Sequence, residues 1–474
     1  MMNKAFSLFL LLGLGITTSV DGETSSSYLV SQYSNYSKAQ ATTVYHYDNI
    51  KDFLQAIKNN KINYKDKPRV SLKLNNAKVL ASGSYNVFLR DDSNAATFIR
   101  FSKITDNAKY NNQTNAIVDG EVCGILDYYN VTTTLCIYPQ SDADVNNLTF
   151  TPSSEEAQPI EITEQELGEH LYDLVKIKGV SVKNTNSSTS STDWTKVVIG
   201  KGIKLSNNYI GNTQSILSTS PYKNAIVDIV GIVTYQKSDK SQSDLSIRKP
   251  DDITYVIGET RENVIEKVNG INLRFERTLN SSYWNTFCVP IVISSSKIQK
   301  IFGNNTKIAQ YKETNNNTLL FESVSSIKAG EPYLIKPENT VVNPVFKSVS
   351  ITSVSPATPS STAAYQLIGV YNPTDLEVDK TNLFITTQGK ASYPSEGHNT
   401  IKGLRAYIKC NSNNAKDITL SLDGIKTEIQ MVDGLDMLNA TNKVYNMHGQ
   451  YVGNNLKGLP KGVYIVNKQK IFIK

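Results

Sequence analysis

From residue 69 the chain alternates. The segments RVSLKL (69–74), YNVFLRD (85–91) and TFIRF (97–101) place apolar and polar residues at a period of two, with turn residues between them. That period predicts β-strands. Just upstream, NIKDFLQAIKNN (49–60) sets Ile50, Phe53, Leu54 and Ile57 on one helical face, predicting one short amphipathic helix. Further on, YWNTFCVPIVI (283–293), AGEPYLIKP (329–337), YQLIGVYNP (365–373) and GLRAYIKC (403–410) read as strands punctuated by Gly and Pro. The tail KVYNMHGQYVGNNLKGLPKGVYIVNKQKIFIK (443–474) predicts three more strands: Val444–Asn446, Val463–Val466 and Ile471–Ile473. Turns fall at His448-Gly449 and Pro460–Gly462, and Asn467–Lys470 closes the last hairpin.

The pattern repeats. NAIVDGEVCGILDYYNVTTTLCIYPQSD (115–142) is similar to NAIVDIVGIVTYQKSDKSQSDLSIRKPDD (224–252), and VSLKLNNAKVL (70–80) has a counterpart in LVKIKGVSVKN (174–184). Each NAIVD is followed by a Gly-Ile step, a turn and an alternating Leu-x-Ile strand. A period of roughly one hundred residues exceeds a solenoid unit and indicates a duplicated domain. Each copy reads as three strands, a connection and a final hairpin, as a small five-stranded Greek-key barrel of the OB type requires. The second copy inserts NTNSSTSSTDWTKVVIG (184–200), a Ser/Thr-rich loop, and lacks the LRDD of the first.

Composition supports a β-rich, folded chain. There are 26 Tyr against 14 Phe, and hydrophobic residues make up 39%. At 474 residues several domains are expected. The net charge of +6 permits an anionic partner without requiring one. Lys4, the apolar run AFSLFLLLGLGI (5–16) and the small residues of TTSVDG (17–22) predict a signal peptide, and hence export. Nothing later reaches the length of a membrane span, so no transmembrane anchor is expected.

The helix at 49–60, the strand pair SYNVFLRDDSNAATFIRF (84–101) and the 115–138 hairpin resemble OB-fold domains of secreted proteins from Bacteroidota. The strand runs of 262–430 resemble a β-sandwich module of surface proteins in the same bacteria. The KGVYIV strand and basic terminal strand resemble the C-terminal sorting domains of the type IX secretion system. That resemblance implies a Gram-negative host, recognition by outer-membrane secretion machinery, and a secreted or surface location. The expected organisation is all-β: signal peptide 1–22, polar tether 23–43, OB-like domains 44–150 and 160–256, a β-sandwich module 262–430 and a short C-terminal β element 431–474.

Catalytic motifs are missing from the sequence. The four histidines, His46, His170, His398 and His448, have no metal-ligand spacing, and there is no nucleophile elbow or phosphate loop. A non-catalytic protein without a cofactor is expected. Its best binding clue lies on the first barrel. If Val87, Leu89 and Ile99 point inward, Phe88, Arg90, Phe98 and Arg100 project outward from neighbouring strands, with Arg69 and Lys73 on the same side. OB-folds bind oligonucleotides or oligosaccharides on such a face, by stacking and by guanidinium contacts to phosphate. Trp194 and Lys196 are candidates for the same role in the second copy. Covering of Phe88 and Phe98 by the helix or the other barrel is the competing expectation. Alternatives are a structural surface protein or adhesin binding other proteins, and an accessory subunit of an extracellular hydrolase. With Tyr129-Asn130 as hairpin centre, Cys123 and Cys136 face each other and predict a disulfide. Trp284 is expected in the sandwich core.

Overall fold

The computed structural model describes residues 43–128, 135–184, 197–205, 210, 225–236, 243–315, 318–359, 364–385, 390–411, 418–426, 430–431, 443–453, 459–466 and 469–473. The expected signal peptide and nearly all of the tether lie outside these residues. After a first strand β1 (Val44–Tyr47) comes the helix α1 (Ile50–Lys58), which starts where the Asn49 side chain accepts the Asp52 N–H at 2.8 Å. Its buried residues Ile50, Phe53 and Ala56 join the core of the first barrel.

That barrel comprises β2 (Arg69–Gly83), β3 (Asn86–Arg90), β4 (Ala96–Arg100), β5 (Ile117–Tyr128) and β6 (Leu135–Tyr138). The strands run in the order β2-β3-β4-β6-β5, and pairing of β5 with β2 closes the ring. The β4–β6 contact is parallel and the others are antiparallel. Val70, Leu72, Val87, Leu89, Ile99 and Ile137 fill the interior at full burial, as the alternation requires. A further strand β7 (Thr149–Thr151) pairs with β5 and ends the sheet.

The second copy follows the same path. After β8 (Ile160–Glu161), strands β9 (Leu174–Asn184), β10 (Val197–Ile199), β11 (Ile203–Leu205), β12 (Ile226–Gln236) and β13 (Ser243–Ser246) form a ring in the same order, again with one parallel contact, β11–β13. Strand β14 (Ile253–Gly258) pairs with β12 as β7 does with β5.

The repeated NAIVD has a physical reason. Its aspartate carboxylate accepts an N–H at the irregular point of the barrel's first strand: Asp119 from Asn76 at 2.7 Å, Asp228 from Gly179 at 2.9 Å. Both donor residues are left-handed, with φ 47° and 66°. The aspartate thus fixes the bulge at which the strand turns around the barrel. The repeated Gly-Ile step is a close crossing. A Cβ on Gly124 would lie 2.6 Å from the Tyr138 carbonyl, and one on Gly231 would lie 2.8 Å from the Ser246 oxygen.

The barrels are joined. Leu80, Ala81, Phe88, Ala96, Phe98 and Cys136 of the first form one apolar cluster with Tyr172, Leu174 and Ile232 of the second. The second barrel in turn continues into the rest of the chain. Its β14 pairs in parallel with β15 (Val268–Glu276), which pairs with the strand Val345–Ile351, and a single core runs from Val175 and Ile229 to Phe287, Phe302 and Phe346. Beyond it, a six-stranded and a five-stranded sheet face each other across a second core. Trp284 lies in that core, as expected. The tail forms a four-stranded antiparallel sheet from the three predicted strands and Tyr451–Gly453, with its own small core of Val444, Tyr464 and Val466. Among the described residues no helix is long and apolar enough to cross a membrane.

Candidate functional site

Phe88 and Phe98 do point out of the first barrel, and the second barrel covers them. They oppose each other across β3 and β4, stack with centroids 4.6 Å apart, and are fully buried. The Tyr172 ring lies 6.4 Å from Phe88 and 5.9 Å from Phe98. Tyr172 is held at φ 68°, a costly conformation for a bulky residue, and this turns its ring onto the pair. Arg90 is committed at the same contact. Its Nε donates to Asp173 at 2.8 Å, and its other nitrogens donate to the Leu174 and Gln158 carbonyls, each at 3.1 Å. Burial pushes the Asp173 carboxyl above its ordinary range even though Arg90 opposes that shift. The expected open aromatic face is therefore corrected to an inter-barrel joint, because an apolar pair on the outside of a barrel is stable only when covered.

The remaining predicted residues are dispersed. Arg100 bonds Asn86 at 2.7 Å at the margin of the joint. Arg69 pairs with the buried carboxylate of Asp144, which also accepts the Gln140 N–H at 2.7 Å. Lys73 is exposed, opposite Glu121 on β5. Trp194 and Lys196 lie outside the described residues. The expected Cys123–Cys136 disulfide is not formed, and all four cysteines are free. The strand register differs from the expected one: Ile125 faces Tyr138 and Asp127 faces Cys136, while Cys123 faces Ser71. Burial raises both thiols, Cys136 beyond the physiological range.

The duplication supplies a second face. Val79 and Val182 occupy matching positions, donating to the Ala116 and Ala225 carbonyls. Counting from them, Val198 on β10 corresponds to Phe88, and its neighbours Lys183 and Lys204 correspond to Ala81 and Phe98. Lys183 and Lys204 are exposed, as is Lys201 on the β10–β11 turn. Equivalent strands thus present an apolar pair in one copy and ammonium groups in the other. Alignment of the two repeats carried this signal, which the inserted loop obscured. Among the described residues, no group of three His, Cys, Asp or Glu is arranged to hold a metal ion.

Comparison with known protein families, with curated proteins and with solved structures gives no match.

Proposed function

We propose that the chain is an exported, non-catalytic binding protein whose second barrel contacts an extended anionic polymer, either a single-stranded nucleic acid or an acidic glycan. The observation that carries this reading is the contrast between equivalent faces. The first is closed by Tyr172 and Asp173, whereas the second presents exposed Lys183, Lys201 and Lys204. Ammonium groups on an outer barrel face neutralise backbone charges and release counterions. The leader, the strand pattern of the tail and the resemblance to type IX sorting domains support passage to the cell surface. The sealed aromatic face favours one second reading, a surface scaffold or adhesin whose barrels pack on proteins.

Fluorescence anisotropy of the full chain with labelled oligo-dT and labelled oligogalacturonate tests the proposal. Saturable binding is expected, weakening steeply with salt and falling about tenfold or more in a Lys183→Glu/Lys204→Glu variant. Binding of neither probe at low salt would remove the polymer reading and leave the adhesin.

A further inference from the structure

The first barrel has an open groove lined by residues that take no part in its joint. One wall is the β4–β5 connection, residues 101–116, which contains the 3-10 turn Asn107–Tyr110. The other is the turn Asp142–Asp144 with the chain leading into β7. The Thr105 N–H donates to Asp142 at 2.9 Å and ties the two walls together. The space between them is about 580 Å³.

Tyr110 forms the floor. Its ring stacks on Phe101 at 3.8 Å and 14°, and meets the half-buried Phe150 edge-on at 5.3 Å. The residue is only 3% exposed and lines the groove. Burial, then Asp142 and Asp106, raise the phenol to about 12, so it stays a neutral donor. A neutral phenol on the groove wall is placed to donate to a bound ligand. Around it stand the planar side chains of Asp106, Asp142, Gln113 and Asn146, with Lys109 Nζ 5.1 Å from the Tyr110 ring centre.

The duplication again acts as an internal control. Phe150 faces Val118 across the β5–β7 pair, and Tyr255 faces Val227 across the matching pair. In the second copy that ring is consumed: the Tyr255 hydroxyl donates to the Val264 carbonyl, and β15 covers the outer edge of β14. In the first copy β7 is the last strand of its sheet. The same architectural position is closed where the chain continues into the sandwich and open where it does not.

We infer that this groove is a binding site for a neutral saccharide, held by Tyr110 and Phe150 with Asp106 and Asp142 accepting its hydroxyls. Two carboxylates against one lysine disfavour phosphate or sulfate, while the half-buried Phe150 ring beside planar acceptors fits the alternating C–H and O–H surfaces of a pyranose. The site is on the opposite copy from Lys183 and Lys204, and does not depend on them.

Isothermal titration of the full chain with maltohexaose, laminarihexaose, cellohexaose and chitohexaose, all neutral, tests the assignment. Saturable binding to at least one is expected, nearly unchanged by salt. Tyr110→Phe retains the stack and removes only the hydroxyl, and should weaken binding about 3- to 10-fold. Phe150→Ala should weaken it further, with circular dichroism confirming that the variant is folded. The Lys183→Glu/Lys204→Glu variant should bind as wild type, which separates this site from the polymer face. No saturable heat with any of the four sugars would overturn the inference, as would undiminished binding by both Tyr110→Phe and Phe150→Ala.

Discussion

Asp119 and Asp228 hold the same place in two copies of one motif, and the difference between them shows how surroundings set the value of a residue. Asp119 accepts one N–H at an exposed bulge. Asp228 accepts the equivalent N–H and is also paired with Arg274, which donates from Nε at 2.7 Å and from Nη2 at 2.9 Å within the buried region between β12 and β15. Removing the Asp228 carboxylate leaves the buried Arg274 guanidinium with only the longer contact to Glu276, at 3.8 Å. Asp119→Ala should therefore cost about 1 kcal/mol. Asp228→Ala should cost about 3–5 kcal/mol. Urea unfolding of the two variants checks the ranking, and equal losses would show that Arg274 finds another partner. At this scale the sequence was informative about identity and silent about consequence: the pentamer marks both aspartates, but Arg274 stands far along the chain in no motif.

Between elements, Glu259 joins β14 to the two-sheet module. Its carboxylate receives Arg405 at 2.6 Å and Lys402 at 3.1 Å, with the fully buried Arg277 at 3.7 Å. Burial pushes this acid up, but Arg405, Lys402 and Arg277 outweigh it and hold the group below its ordinary 4.5. A depressed folded value means that the cluster contributes stability above pH 4.5 and loses it as pH falls through the folded value. Thermal melts between pH 7 and 3 should show Glu259→Gln less stable at neutral pH and flatter below 4.5. A wild-type-like acid slope in that variant would assign the pH dependence to other carboxylates. Strand parity at this scale was legible, because period two leaves no choice about which residues face inward. The hairpin register was not, since pairing Cys136 with Asp127 instead of Cys123 keeps the alternation intact. The joint was legible in part: two aromatic residues on a supposedly polar face called for cover by the helix or the other barrel, and parity did not say which. The groove left no trace at all: Phe101 and Tyr110 stack across a connection without periodicity.

For the whole molecule, core continuity decides which parts are separable. The second barrel shares one core with Phe275, Phe287, Phe302 and Phe346, whereas the tail sheet has its own. A chain ending at residue 258 should bind a hydrophobic dye and melt well below wild type, because the outer edge of β14 and the Tyr255 hydroxyl lose their partners. A chain ending at residue 431 should keep the melting behaviour of the barrels. Calorimetry of both truncations checks this, and a fully stable 1–258 fragment would contradict the shared core. The parallel β14–β15 pairing has a mechanical consequence as well. Five residue pairs, from Thr254–Asn272 to Gly258–Glu276, bind the barrel to the remainder of the chain. Tension along the chain draws β14 toward its start and β15 toward its end, so those pairs are loaded together in shear instead of being peeled apart one at a time. A protein tethered at one end and gripped at the other would therefore yield first at places other than this seam.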